Sequence, residues 1–324
     1  MFRNLIFILF GCLVFSCSNE PEKKTNPTPK VKIEIPTFNA DSAYYFIEKQ
    51  VNFGPRVISS NAWKKCAIWL EVKLKSYTPN VIVQESPITT YDGKNHTIKN
   101  IIASFSPEKN NYIALFAHWD SRHVADHDTK NQQNPILGAN DGGSGVGVIL
   151  ELARHFSNKN PNIGIDIVLF DAEDYGQPED SKFPIMQDSW CLGSQYWSKN
   201  PHKPNYFARY GILLDMVGGK DATFRHEQIS SFFASSVLQK VWRKASHLGF
   251  GNYFVFEDAK QIIDDHYYVN TIAGIPTIDI IEYDPATKHN FNKHWHTHKD
   301  NMDNIDRNTL NAVGQTLLEV IYNE

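Results

Sequence analysis

Carboxylate and imidazole side chains recur in five short clusters of the sequence, at residues 118–122, 138–145, 171–176, 215–218 and 295–297. Imidazole nitrogen and carboxylate oxygen are both zinc ligands, and a catalytic zinc site uses three protein ligands and leaves one position open. The adjacent carboxylates Glu173 and Asp174 could divide two roles, because one could bind the metal while the other acts as a general base. The clusters therefore predict a zinc-dependent enzyme.

Three of the clusters directly follow short apolar runs that are typical of buried strands, at 112–116, 165–170 and 211–214. Further strands are predicted at 81–85, 97–105 and 277–281. Helices are predicted from a possible cap at Asp41, over 62–76 and 145–156, from Leu192, and over 230–248 and 307–322. Strands that alternate with helices predict an α/β fold, a three-layer sandwich with a mixed, mostly parallel central sheet and helices on both faces. Such sheets bind ligands at the carboxyl ends of their strands, where the clusters lie.

Composition excludes some classes of protein. The 324 residues carry a formal net charge of −4, from 32 basic and 36 acidic side chains. A nucleic-acid surface needs a clustered basic excess, which the sequence lacks, so we expect no nucleic-acid partner. A single α/β domain can have this length. Outside the first 17 residues only Cys66 and Cys191 are cysteines; we expect both in the core, and the sequence leaves open whether they pair.

The N-terminus combines features of a signal peptide. Arg3 precedes an apolar stretch, and the small residue Ser16 precedes Cys17. This ending resembles the lipobox of bacterial lipoproteins, in which the thiol of Cys17 would carry a lipid; ordinary secretion with a coincidental cysteine is the alternative. The domain is predicted to be exported, to the periplasm or cell envelope, and to meet the membrane only through that lipid. The expected parts are a signal peptide at 1–16, a disordered tether at 17–37 and a single catalytic domain at 38–324.

Six sequence blocks together resemble the zinc aminopeptidase superfamily. Their order and spacing match over nearly the whole folded part: GPRV at 54–57, HWDSR at 118–122, GANDGGSGVGVILELAR at 138–154, DAED at 171–174, LLDMVG at 213–218 and WHTHKDNMDNID at 295–306. In the aminopeptidases two zinc ions share a bridging aspartate. The resemblance implies that Asp141 is this bridge, that Asp174 and His296 complete one zinc site, and that His118 and Asp215 complete the second.

Several features favour the glutaminyl cyclases, which resemble this superfamily but keep only the first zinc. Glu173 and Asp174 stand where aminopeptidases usually have two glutamates, and Trp295 directly precedes His296, as in the cyclases. Residues 188–194 also resemble the DS-x-x-G-S loop of the cyclases.

A further segment, Asp264-Asp265-His266, resembles the cyclase segment whose first aspartate joins a proton network. One position departs from the animal enzymes, which have a histidine in the strand after G-x-P where this chain has Asp279. The departure concerns the proton network and leaves the implied metal site intact.

The resemblance to the cyclases implies one zinc per chain, bound by Asp141, Asp174 and His296. This zinc would polarise the γ-amide oxygen of an N-terminal Gln in a peptide or protein. Glu173 would take a proton from the attacking α-amine and pass it to the leaving ammonia, giving pyroglutamate. Other residues with implied roles are Asp215 and Asp264, which would share protons with Glu173, and Trp190 and Trp295, which would line the pocket or else only pack in the core.

Two alternatives stay open at this point. An exported dinuclear zinc aminopeptidase is favoured by the intact second set, in which His118 and Asp215 are both able to bind metal. In a single-zinc enzyme His118 would instead be a supporting residue, hydrogen-bonded to Asp120. A non-enzymatic binding lipoprotein would predict a broken ligand set, whereas the set here is complete.

Overall fold

The computed structural model of this protein describes residues 1–2 and 34–324. Residues 3–16 of the predicted signal peptide, Cys17 and most of the predicted tether at 17–37 lie outside the described residues. The domain bounds therefore stay a prediction. Among the helices of the described residues, none is long and apolar enough to cross a bilayer.

Helices and strands alternate along most of the chain. The α-helices are α1 (Ala40–Val51), α2 (Asn61–Lys75), α3 (Gly143–Asn158), α4 (Leu192–Lys199), α5 (Gln228–His247), α6 (Asp265–Tyr268) and α7 (Arg307–Tyr322). The strands are β1 (Val81–Thr89), β2 (Asn95–Phe105), β3 (Tyr112–His118), β4 (Gly164–Phe170), β5 (Gly211–Asp215), β6 (Phe224–His226), β7 (Phe254–Asp258) and β8 (Thr277–Ile281). A π-helical turn at Val269–Ala273 extends α6, and a 3-10 turn lies at Met302–Asn304.

Six strands form the central sheet in the order β1-β2-β4-β3-β5-β8, and β6 and β7 form a separate pair. Strands β4, β3, β5 and β8 run parallel to one another, whereas β1–β2 and β2–β4 are antiparallel pairs. The predicted α/β fold with a mixed, mostly parallel sheet is confirmed. Every strand that precedes a carboxylate cluster belongs to the parallel part, so these clusters meet at one edge.

Alternation along β3 explains how helices cover both faces of the sheet. Phe116 packs against Trp197 of α4, with ring centroids 5.5 Å apart. The next residue, Ala117, faces Gly145 of α3, and successive side chains of a strand point to opposite faces. Helices α1, α3 and α7 contact one another on the α3 side. The three-layer arrangement follows from this alternation.

The start of α1 differs from the sequence prediction. Asn39, not Asp41, is the N-cap, and its side chain accepts a hydrogen bond of 3.1 Å from the backbone N–H of Ser42. Asn39 has an extended backbone, which lets a capping side chain reach back to the first turn. Asp41 already lies in the first turn of the helix, where its negative charge interacts favourably with the positive N-terminal end of the helix dipole.

Gly145 provides a mutation that tests the packing of α3 on the sheet. An added Cβ would lie 2.1 Å from the carbonyl oxygen of Leu214 and 3.0 Å from Cβ of Ala117. Because the blocking atom is backbone, we expect Gly145→Ala to lower the free energy of unfolding by about 2 kcal/mol or more, measured by urea denaturation. Gly251→Ala is the control, since no heavy atom would lie within 4 Å of its new Cβ. Equal stability of the two variants would contradict this packing.

Candidate active site

A cavity of about 460 Å³ opens at the carboxyl ends of the parallel strands. Its walls contain the eight residues that the sequence analysis assigned to zinc binding, proton transfer or the pocket lining of a single-zinc enzyme, namely Asp141, Glu173, Asp174, Trp190, Asp215, Asp264, Trp295 and His296. They come from six separate stretches of the chain, because the loops after β3, β4, β5 and β7 and the loop before α7 converge here. The structure thus brings these eight residues together at one edge of the sheet.

Asp141, Asp174 and His296 form the first group able to hold a metal ion. Nε2 of His296 lies 3.3 Å from Oδ1 of Asp174 and 3.7 Å from Oδ2 of Asp141. Tetrahedral ligands at about 2.0–2.1 Å from a zinc ion would lie roughly 3.3 Å apart. All three side chains are buried, yet Oδ2 of Asp141 and both carboxylate oxygens of Asp174 have no hydrogen-bond partner. Buried carboxylate oxygens without partners are costly, so this group fits a divalent cation.

Electrostatics at this group point the same way. Burial raises the pKa of Asp174 to about 6, and the negative charge of Asp141 adds to the rise, while His296 opposes it. Burial also acts to raise the pKa of Asp141, but the hydrogen bond and charge of His118 outweigh it, so its pKa lies below the usual value. Two carboxylates this close repel each other when both are charged, and positive charge between them would relieve the repulsion.

A second group consists of His118, Asp141 and Asp215. Nε2 of His118 lies 3.1 Å from Oδ1 of Asp141 and 3.2 Å from Oδ1 of Asp215, and its Nδ1 lies 3.3 Å from Oδ1 of Asp120. Burial acts to lower the pKa of His118, but hydrogen bonds with these three carboxylates outweigh it and hold the pKa well above its usual value. The imidazole nitrogen and the carboxylate oxygens of this group thus lie close enough to pair with one another.

The loop that carries Glu173 and Asp174 is fixed from both sides. The carboxylate of Asp120 accepts hydrogen bonds of 3.1 Å from the backbone N–H groups of both residues. Asp171, at the end of β4, accepts hydrogen bonds from the indole of Trp63 at 2.9 Å and from a backbone N–H at 2.7 Å. The sequence analysis linked Asp120 only to His118, whereas the structure shows that it also orients the carboxylate pair.

Two aromatic side chains flank His296. The ring of Trp295 lies 3.7 Å from the imidazole and the ring of Trp190 lies 5.9 Å from it on nearly parallel planes. The buried guanidinium of Arg122 lies 4.3 Å from the Trp190 ring and donates to the carbonyl oxygen of Asp174 at 3.0 Å. Both tryptophans line the cavity and are only half-buried, so they are walls of the site rather than core residues.

Asp126 is a residue that sequence reasoning missed. Its Oδ1 lies 3.1 Å from Nδ1 of His296, and its carboxylate also pairs with Arg122 at 2.6 Å. A carboxylate on the far nitrogen of a metal-binding histidine fixes the ring and its tautomer. Asp126 lies in an irregular loop between β3 and α3, where no periodic pattern marks it, so the sequence held no signal for this contact.

We expect Asp126→Asn to weaken metal affinity by about 10- to 100-fold, because His296 would lose the carboxylate that orients it. Competition with a chromophoric chelator measures the effect. Asp128→Asn is the matched control, since Asp128 lies two residues away and bonds His298 at 2.9 Å instead. Equal affinities in the two variants would show that Asp126 does not support the metal site.

Glu173 lies at the cavity floor with 13% of its side chain exposed. Burial raises its pKa well above the usual value; the charge of His118 opposes the rise, and the negative charges of Asp264 and Asp174 add to it. Burial likewise raises the pKa of Asp215 to about 7. A carboxyl group with a raised pKa beside a metal group is suited to accept and return a proton near neutral pH.

A buried chain of polar side chains lies next to Asp264. It includes Asp279, the position at which this sequence differs from the animal cyclases. Nδ1 of His266 lies 3.6 Å from Oδ2 of Asp279, and its Nε2 lies 3.1 Å from Oε2 of Glu227. Burial, with the negative charges of Asp264 and Asp215, raises the pKa of Asp279 well above its usual value. The buried chain therefore takes its imidazole from His266 in α6, and strand β8 contributes the carboxyl group of Asp279.

Comparisons with known proteins agree with this geometry. The family model "Peptidase family M28" matches residues 100–321. A solved glutaminyl cyclase from Tannerella forsythia is 54% identical, covers 89% of this chain and 100% of its own, and superposes with a TM-score of 0.87. A solved Zn-dependent exopeptidase from Parabacteroides distasonis is also 54% identical, covers 90% of this chain and 100% of its own, and has a TM-score of 0.88.

Among curated proteins, glutaminyl-peptide cyclotransferase of Bos taurus is 25% identical over 255 residues. That alignment covers 68% of this chain and 64% of the bovine protein, so the chain spans less than two thirds of the length of this relative. The resemblance to glutaminyl cyclases predicted from the sequence is confirmed. Because the family model matches well over half of the 324 residues, this chain belongs to peptidase family M28.

Proposed function

We propose that this protein is a glutaminyl-peptide cyclotransferase that converts an N-terminal Gln of peptides or proteins to pyroglutamate and releases ammonia. The observation that carries the proposal is the group of Asp141, Asp174 and His296, which contains buried carboxylate oxygens without partners and lies directly beside the partly exposed carboxylate of Glu173. The 54% identity to the Tannerella forsythia glutaminyl cyclase supports the choice of reaction.

In this proposal Asp141, Asp174 and His296 would hold one zinc ion, which would act as a Lewis acid on the γ-carboxamide of the substrate. Glu173 accepts a proton from the α-amine as the α-nitrogen forms its bond to the γ-carbon. The same carboxyl group then returns the proton to the γ-amide nitrogen as the bond from that nitrogen to the γ-carbon breaks, and ammonia leaves. The reaction consumes no water, and the number of atoms and protons balances within the substrate and Glu173.

The rest of the cavity suits a Gln side chain and the residue after it. Trp190 and Trp295 provide flat apolar walls on either side of His296. The negative charge of Asp264 adds to the raised pKa values of both Glu173 and Asp215, and we assign Asp215 and Asp264 to proton sharing. A volume of about 460 Å³ exceeds a single Gln side chain, which is consistent with a peptide substrate.

The proposal of one zinc ion rests on the contrast between the two groups. Around His118 the facing nitrogen and carboxylate oxygens of Asp141 and Asp215 already pair with one another. Around His296 the imidazole lies 3.3 Å from Oδ1 of Asp174, and the Oδ2 atoms of Asp141 and Asp174 have no hydrogen-bond partner. The second candidate function, a dinuclear aminopeptidase, is favoured by the closeness of His118, Asp141 and Asp215 and by the similarity to the Zn-dependent exopeptidase.

Export as a lipoprotein is a further part of the proposal, supported by the sequence features around Cys17. The catalytic domain would then begin at residue 38 and act outside the cytoplasm. Mass spectrometry of the mature protein tests this, since the proposal expects a lipid-modified Cys17 at its N-terminus. An N-terminus elsewhere, without lipid, would leave ordinary secretion or no export.

The proposed reaction is tested by incubating the purified protein with one peptide that begins with Gln and one that begins with Leu. We expect only the Gln peptide to change, by loss of the mass of one ammonia, and we expect a chelator to abolish the change. Release of the first residue from either peptide would make the protein an aminopeptidase. In that case two bound zinc ions per chain are expected in place of one.

A further inference from the structure

Cys191 is a buried thiol that touches the cavity floor and has no role in the mechanism above. Its side chain is fully buried, and its Sγ lies 3.2 Å from Oε1 of Glu173. Cys66, the other cysteine of residues 34–324, is buried in α2, and neither forms a disulfide. The thiol thus contacts only one of the two oxygens of the carboxylate that is proposed to transfer the proton.

Backbone hydrogen bonds hold Cys191 in register with Glu173. The N–H of Cys191 donates to the carbonyl oxygen of Glu173 at 3.0 Å, and the N–H of Leu192 donates to that of Ala172, also at 3.0 Å. The segment that begins α4 is therefore joined to the loop after β4 at two successive residues. These two backbone hydrogen bonds hold the segment of Cys191 and the segment of Glu173 side by side, and so keep Sγ close to Oε1.

The backbone of Cys191 has a left-handed conformation although the residue is not glycine. Its φ of 57° and ψ of 35° place it in the left-handed region, where a residue with a Cβ costs roughly 1–2 kcal/mol more than in the right-handed region. Glycine would avoid this cost. Backbone strain that is kept beside reacting groups is a reason to look for a function of the side chain.

The thiol lies within hydrogen-bonding distance of Oε1 of Glu173 and is placed to donate to it. Burial raises the pKa of the Cys191 thiol well above its usual value, and the negative charge of Glu173 adds to the rise. A thiol is a weak donor, so it orients a carboxylate while withdrawing little of the electron density that accepts a proton. The second oxygen, Oε2, lies 3.9 Å from Nδ1 of His118 and is left for the substrate.

We propose that Cys191 is a positioning residue for the proposed cyclisation, whose thiol holds Oε1 of Glu173 so that Oε2 faces the substrate amine. This inference rests on the proposed function, because it assigns Cys191 a role only through Glu173. The covalent chemistry is unchanged: the thiol keeps its proton throughout and forms no bond to the substrate.

The test compares Cys191→Ala with Cys191→Ser in steady-state kinetics on a Gln peptide, with zinc content and Tm measured on each protein. Alanine removes the donor, and we expect its kcat to fall by about tenfold or more while KM changes little, since the group acts on the reacting step. Serine keeps a donor and should recover most of that loss. Cys66→Ala is the matched control, because it removes a buried thiol away from the cavity and should lower Tm without lowering kcat.

A wild-type kcat in Cys191→Ala would overturn the inference, as would equal losses in the alanine and serine variants. Failure of the wild-type protein to cyclise Gln would instead contradict the proposed function itself. The experiment therefore distinguishes failure of the inference about Cys191 from failure of the proposed reaction. A second measurement does not need activity. The infrared S–H band obtained as the difference between wild type and Cys191→Ala should move to higher frequency in Glu173→Gln, and an unchanged band would mean that the thiol does not donate to Glu173.

Discussion

In the Glu173→Gln variant, the kcat for cyclisation of a Gln peptide is expected to fall by about 100- to 10,000-fold, the usual contribution of a general acid–base group. The amide has nearly the same shape as the carboxyl group but cannot accept the proton of the attacking amine. Neighbouring Asp141, Asp174 and His296 are unchanged, so metal content should stay at the wild-type value. Initial rates and metal analysis on the same preparation measure both quantities.

Glu151→Gln is the control for this variant. Glu151 is also buried, but it lies in α3 and pairs with Arg154 at 2.5 Å and His155 at 3.0 Å, away from the cavity. Loss of these ion pairs should reduce stability and leave kcat close to wild type. If Glu173→Gln retained full activity, another group would have to move the proton, and the assignment of Glu173 would be wrong.

Replacement of His296 by alanine is expected to produce the second large effect. The variant would lose a neutral nitrogen ligand and leave two carboxylates facing each other, so we expect at least about 100-fold weaker metal binding and loss of activity with it. Metal content after gel filtration, and activity as zinc is added back, measure the two consequences together.

His298→Ala serves as the comparison, because His298 lies on the same loop but is 36% exposed and bonds Asp128 at 2.9 Å. We expect it to keep both metal and activity. The wild-type protein should bind one zinc per chain. Two tightly bound zinc ions would instead assign His118 and Asp215 as ligands and favour the dinuclear aminopeptidase.

Much of the fold is determined by short-range sequence patterns. The apolar runs predicted at 112–116, 165–170 and 211–214 lie in β3, β4 and β5, because a strand buried on both faces needs a continuous apolar run. The strands β6 and β7 were not predicted. Strand β6 has only three residues, and the last three of the five residues of β7 are exposed, so neither shows the continuous apolar run that marked the predicted strands.

The sequence by itself also determined which residue types reach the site. Strand ends followed at once by Asp, Glu or His are local features, and parallel strands bring such ends to one edge whatever the loops do. This local feature marked Glu173, Asp174 and Asp215 as candidates, whereas Asp141 and His296 were predicted from the resemblance of the sequence blocks that contain them.

Only the tertiary structure decided how these side chains are supported and which atoms are left without a partner. The contacts of Asp126 with His296 and of Cys191 with Glu173 join loops that are far apart or irregular, and no periodic pattern encodes them. The contrast between the paired His118 group and the group around Asp174 depends on interatomic distances of 3–4 Å. Such distances are set by the packing of the whole sheet and its loops. The position of each side chain depends on contacts with several parts of the chain and not only on its neighbours in sequence.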